Sequence, residues 1–171
     1  MEVLNKQWFV AKTRAKQEKA IQQRLNETGI ESFLPTRMEV RQWHDRKKRI
    51  EVALIPNTVF IYTDKNTALS LPNSHNFPIK YMIDCNSRSL LIVPDKQMQD
   101  FIFLLNYPDD ILIEENHLLL GKGDKVKVIK GLFSGVEGEL IRTEGKNKVL
   151  VRLENLIACS IEVPVSYLER K

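Results

Sequence analysis

The chain has 171 residues, enough for one medium domain and one small one, and its 43% hydrophobic and 28% charged content is that of an ordinary globular protein. No apolar run approaches the roughly 20 residues that cross a bilayer, and Met1-Glu2-Val3-Leu4-Asn5-Lys6 lacks an apolar signal core, so membrane and secretory classes are not expected. Net charge is +4, too modest to name a partner, so the placement of the cations matters more than their sum. In chain order, Gln7-Trp8-Phe9-Val10-Ala11-Lys12 is aromatic and β-branched and predicts a largely buried first strand. Residues 14–28 are strong helix formers, with Ile21 and Leu25 on one face, Ala20 beside them and Gly29 placed to end the helix. Lys12, Arg14, Lys16, Lys19 and Arg24 concentrate charge there. Ser32-Phe33-Leu34 is a brief extended segment stopped by Pro35, and residues 38–43 and 50–54 are the arms of a hairpin with a basic tip at 44–48. Pro56-Asn57 breaks the chain before Thr58-Val59-Phe60-Ile61-Tyr62, a clear strand.

Residues 64–79 are irregular, with a short helix expected at 67–71, and a further strand is expected at 80–84. Pro94-Asp95 opens a second helix in which Met98, Phe101, Ile102 and Leu105 form one apolar stripe. The polar stretch 106–116 marks a domain boundary, which divides the chain into a domain at 1–106, a linker at 107–116 and a second domain at 117–171. In that second domain Gly123-Asp124-Lys125-Val126-Lys127-Val128 alternates with period two, a glycine-dense turn runs through Gly131, Gly135 and Gly138, and Val149-Leu150-Val151-Arg152-Leu153 and Ile161-Glu162-Val163 resume extended patterning. So many short strands in so little chain predict a small, highly curved β-barrel that protects its own edges. The predicted class is α+β: an N-terminal antiparallel sheet flanked by helices, then an SH3-like barrel.

The C-terminal glycine pattern resembles the KOW domain, with its G-D-x-V-x-V strand and G-x-F-x-G-x-x-G turn. Trp8-Phe9-Val10, the charged helix after it, Leu34-Pro35, Ile55-Pro56-Asn57 leading into Val59-Phe60-Ile61, and Val93-Pro94-Asp95 together resemble the N-terminal domain of NusG. The resemblance implies a transcription elongation factor seated on the β′ clamp helices of bacterial RNA polymerase. Its implied docking residues are Trp8, Ile55, Pro56, Asn57, Thr58 and Phe60, although the family usually has an aromatic residue where Thr58 stands. In specialised paralogues the first-helix region faces the nontemplate strand, so Lys12, Arg14, Lys16 and Gln17 are the implied contacts to nontemplate DNA or nascent RNA.

Asn57 after Pro56, the short chain and the stretch Ile92-Val93-Pro94-Asp95-Lys96-Gln97-Met98-Gln99-Asp100-Phe101-Ile102 look most like UpxY-type antiterminators of capsular polysaccharide operons. Housekeeping NusG and a ribosome- or RNA-associated KOW protein are the alternatives. Glu154-Asn155-Leu156-Ile157-Ala158-Cys159 stands where housekeeping members carry Phe-Gly-Arg, which leaves binding to Rho or a ribosomal protein doubtful. No catalytic triad, phosphate loop or paired-carboxylate motif points to an enzyme. His44, His75 and His117 are scattered as surface residues would be, with no metal spacing, and no cofactor is expected. Cys85 and Cys159 read as free thiols in a reducing cytoplasm, and the expected state is a monomer.

Overall fold

Alternating side chains drive an antiparallel sheet through the first half of the molecule. In the computed structural model, which describes residues 4–171, the chain forms two units, Met1–Pro94 and Asp95–Lys171. The first unit contains β1 (Gln7–Lys12), α1 (Glu18–Glu27), β2 (Glu31–Phe33), β3 (Thr36–Gln42), β4 (Lys47–Ala53), β5 (Thr58–Thr63), α2 (Lys65–Asn73), β6 (Lys80–Tyr81) and β7 (Ile92–Val93). Its sheet runs β2-β5-β1-β6, with β7 also on β1, and every pairing is antiparallel. The register sets Phe9 opposite Ile61 and Ala11 opposite Val59, which puts four apolar residues on one face. There they pack with Ile21 and Leu25 of α1 and with Ala68, Leu71, Phe77, Ile79 and Tyr81.

The sequence expectation differs from the structure at both helices of this unit. Helix α1 begins at Glu18 rather than at 14, because Lys16 adopts a left-handed conformation (φ 61°) and Gln17 N–H closes a turn on Arg14 C=O. Its inward face carries Glu18 with Ile21 and Leu25, while Ala20 is exposed. Helix α2 is longer than expected because Asp64 caps it, its carboxylate accepting from Thr67 N–H at 2.9 Å. The hairpin β3–β4 forms a two-stranded sheet of its own.

The second unit contains α3 (Asp95–Leu105), β8 (Ile111–Ile113), β9 (Asp124–Val128), β10 (Glu137–Thr143), β11 (Lys146–Leu153), β12 (Ile157–Glu162) and β13 (Leu168–Arg170). These strands form one six-stranded antiparallel sheet in the order β13-β9-β10-β11-β12-β8. Stretch 107–116 is therefore not a free linker, since Ile111–Ile113 pairs with β12. Helix α3, expected to close the first domain, groups with the second unit. Its buried Asp100 carboxylate accepts from Glu137 N–H at 3.0 Å and from Lys96 Nζ at 2.6 Å, and Lys96 also donates to Gly135 C=O at 2.8 Å. Met98, Phe101 and Leu104 are its buried apolar residues, a stripe rotated from the expected one. The glycine pattern has a steric cause: a Cβ on Gly138 would come within 2.5 Å of Leu150 O, and one on Gly123 would collide with Leu140 O.

Candidate functional site

The connection between β1 and α1 meets the turn before β5, and backbone and side-chain bonds lock the two together. Thr13 N–H donates to Asn57 C=O at 2.9 Å, and Asn57 N–H donates to the Glu18 carboxylate at 2.6 Å. Asn57 itself is left-handed (φ 58°), a conformation that asparagine tolerates better than most residues. Both of its backbone groups are thus held by the segment that precedes and opens α1. On the adjacent strands, Lys12 Nζ donates to Thr58 Oγ1 at 2.8 Å, and Thr58 Oγ1 donates to Pro56 C=O at 3.1 Å. Beside this junction Glu51 accepts from Thr36 Oγ1 at 2.7 Å and from Lys19 Nζ at 3.0 Å. Those two donors, the Thr36 hydroxyl first, hold the Glu51 carboxyl below the usual carboxylate range.

The expected docking residues fall into two groups. Ile55 and Asn57 are half-buried and Pro56 is exposed, so the turn presents a surface. Trp8, Thr58 and Phe60 do not: Thr58 and Phe60 are fully buried, and Trp8 is packed against Tyr62 with ring centroids 5.0 Å apart. In this structure these three are strand residues with little exposed surface, and Trp8 lies opposite Tyr62, away from the turn. The Thr58 hydroxyl is engaged on both sides, accepting from Lys12 and donating to Pro56 C=O.

The expected nucleic-acid residues divide in the same way. Arg14, Lys16 and Gln17 are exposed, and among the described residues their side chains have no ion-pair or hydrogen-bond partner. They lie in the turn before α1 and not in the helix, so they project from a bent loop. Lys12 is half-buried and engaged with Thr58. Two cations farther along α1 are structural: Lys19 pairs with Glu51, and Arg24 sits 4.1 Å above the Phe77 ring while donating to the carbonyls of His75 and Asn76.

Sequence reasoning missed Glu18. The available signal was a carboxylate in register with Ile21 and Leu25, at i, i+3 and i+7 on the inward face of α1. A charge on an apolar stripe needs a partner, and the Asn57 amide supplies it. A second miss is Trp43 in the hairpin, whose indole is exposed.

Among the described residues, no group of three or more His, Cys, Asp or Glu is placed to hold a metal. His44 and His75 are exposed, but His117 is buried, with Nδ1 3.2 Å from Glu114 C=O, which corrects its surface assignment. Cys85 is exposed and Cys159 buried, both unpaired, and burial with the nearby Glu114 carboxylate pushes the Cys159 thiol up to about 12. No helix among the described residues is long and apolar enough to cross a membrane.

No curated protein matches the chain. A family model described as transcription termination factor NusG matches residues 6–102, more than half of the chain, from β1 into α3. With that match running through the β1–α1 connection and the 55–58 turn, the chain belongs to the NusG family of transcription factors.

Proposed function

We propose that this protein is an operon-specific transcription elongation or antitermination factor of the UpxY type, which docks on the β′ clamp helices of bacterial RNA polymerase through the turn at Ile55, Pro56 and Asn57. Factors of this family are non-enzymatic and bind RNA polymerase, which supports the reading. The observation that carries it is the lock between Asn57 and the segment from Thr13 to Glu18. A turn whose amide and carbonyl are both held is pre-organised for a partner, so little ordering entropy is lost on docking. The same lock sets the unpaired Arg14 and Lys16 next to the turn, where they meet nontemplate DNA or nascent RNA as the factor rides the polymerase. Cations there release counterions from phosphates, while Arg14 and Gln17 have the donors to read base edges.

The six-stranded sheet of the second unit, with Gly123 and Gly138 at close backbone approaches, supports reading it as a KOW domain of SH3-like barrel type. On this reading the family domain spans 1–106, so that α3 belongs to it by family although it groups with the second unit by contact, and the protein acts as a monomer in the cytoplasm without a cofactor. Binding of the full chain to a reconstituted bacterial elongation complex tests the proposal. Displacement by housekeeping NusG, loss of binding in Pro56→Asp, and an Arg14→Ala defect on some nontemplate sequences only are the expected results. A chain that ignores the elongation complex and sediments with ribosomes overturns it.

A further inference from the structure

The β3–β4 ribbon carries a group of side chains that neither the fold nor the proposed docking turn uses. Residues 41–49 hold five cations, Arg41, Arg46, Lys47, Lys48 and Arg49, against one acid, Asp45. The ribbon closes at a two-residue loop, with Trp43 N–H donating to Arg46 C=O at 2.8 Å and Arg46 N–H returning to Trp43 C=O at 3.3 Å. Arg41 pairs with Lys48 in the ladder. Because side chains alternate along a strand, Arg41, Trp43, Arg46 and Lys48 share one face of the tip. Lys47 and Arg49 lie on the other.

Trp43 is 55% exposed, with Lys48 Nζ 5.4 Å from its ring centroid. A shallow recess beside it is lined by Gln42, Trp43 and His44. Arg46, Lys47 and Arg49 have no side-chain partner among the described residues, and Asp45 forms no ion pair there. Nearer the base of the ribbon the charges are neutralised: Glu39 takes Arg37 at 2.8 Å and Arg41 at 3.5 Å, and Glu51 takes Lys19. Within the ribbon, unpaired cations are therefore concentrated at the tip, together with an exposed indole.

An exposed indole among unpaired cations has the two chemistries that a single polynucleotide strand requires, a flat π surface for a base and positive charge for its phosphates. A solvated charged face accounts for the cations alone. It does not account for a large aromatic ring left in water at the point of highest charge. We infer that the β3–β4 tip is a second nucleic-acid contact, which stacks one base of a single strand on Trp43 and holds the flanking phosphates with Arg46 and Lys48 of the same face, while Lys47 and Arg49 add positive charge from the other. It is separate from the loop at Arg14, Lys16 and Gln17, and it does not depend on polymerase docking.

The chain has two tryptophans, and Trp8 is 6% exposed, so quenching of indole fluorescence by an added strand reports on Trp43. Titrating the full chain with short oligothymidylate or oligouridylate is expected to quench emission. Trp43→Ala lowers affinity about tenfold, and Trp43→Phe, which keeps a π face, loses less. The double variant Arg46→Ala/Lys48→Ala, on the Trp43 face, lowers the salt slope of binding by about 1.4. Circular dichroism checks that the variants keep the parent fold. Tighter binding of the uridylate assigns the strand to RNA, and tighter binding of the thymidylate assigns it to DNA; both uphold the contact. Binding without quenching, an unchanged affinity in Trp43→Ala, or a preference for duplex over both single strands overturns it.

Discussion

The junction around Asn57 and the tip of the β3–β4 ribbon are both rich in charge, yet they use it in opposite ways. At the junction Glu18 holds the Asn57 amide, Lys12 the Thr58 hydroxyl, and Lys19 and Glu51 pair with each other, while Trp8, Thr58 and Phe60 are buried in the strands. At the tip Arg46, Lys47, Lys48 and Arg49 have no carboxylate partner among the described residues, and an indole stands in water. Counting cations along the chain does not separate these cases. What separates them is whether a partner arrives from another part of the chain to neutralise them.

Substitutions in the two regions break or sharpen that contrast. The largest effect is expected beneath the junction: Phe9→Ala empties a site that is 1% exposed and costs about 3–5 kcal/mol in denaturant unfolding. Next comes Glu18→Ala, which leaves the Asn57 amide without its acceptor and costs about 1–3 kcal/mol, while Glu18→Gln keeps an acceptor and costs less. If Glu18→Ala proved neutral, the lock on the turn would be decorative and the contrast would fail.

A smaller effect is expected with pH. The Thr67 hydroxyl, with the Thr67 amide, holds the Asp64 carboxyl below the usual range, so its folded pKa lies under its unfolded one. Its stabilisation of α2 is complete above the unfolded pKa and is lost as pH falls through the folded one. Thermal unfolding of Asp64→Asn should therefore differ from the parent at neutral pH and converge with it in acid. The smallest effect belongs to the tip: Arg46→Ala and Lys47→Ala should leave unfolding free energy within about 0.5 kcal/mol of the parent, because neither exposed side chain has a partner among the described residues. A large destabilisation there would show the tip to be structural after all.

Much of the fold was legible because local pattern and global fold agree. Strand β1 forms at the expected residues, and the hairpin and β5 form close to where alternation put them. Helix α1 was read too long because residues 14–17 have good helix propensity, and the left-handed turn at Lys16 overrides it. Strand β8 escaped notice because three residues amid polar breakers carry no periodicity of their own and pair only with a distant β12. Of the candidate site, the burial of Trp8 follows from the predicted buried first strand, whereas the turn's lock to Glu18 and the complete burial of Thr58 depend on partners far along the chain.

The chain by itself determined which segments extend and which coil, where glycine must stand, and a family pattern that needs only residue order and spacing. Tertiary structure alone decided which charged and aromatic side chains remain available to a partner. Extension follows from neighbours in sequence, but availability follows from neighbours in space. Glu18 and Asn57 are 39 residues apart, and only the packing of α1 beside the turn makes one carboxylate internal while the cations of the ribbon stay in water.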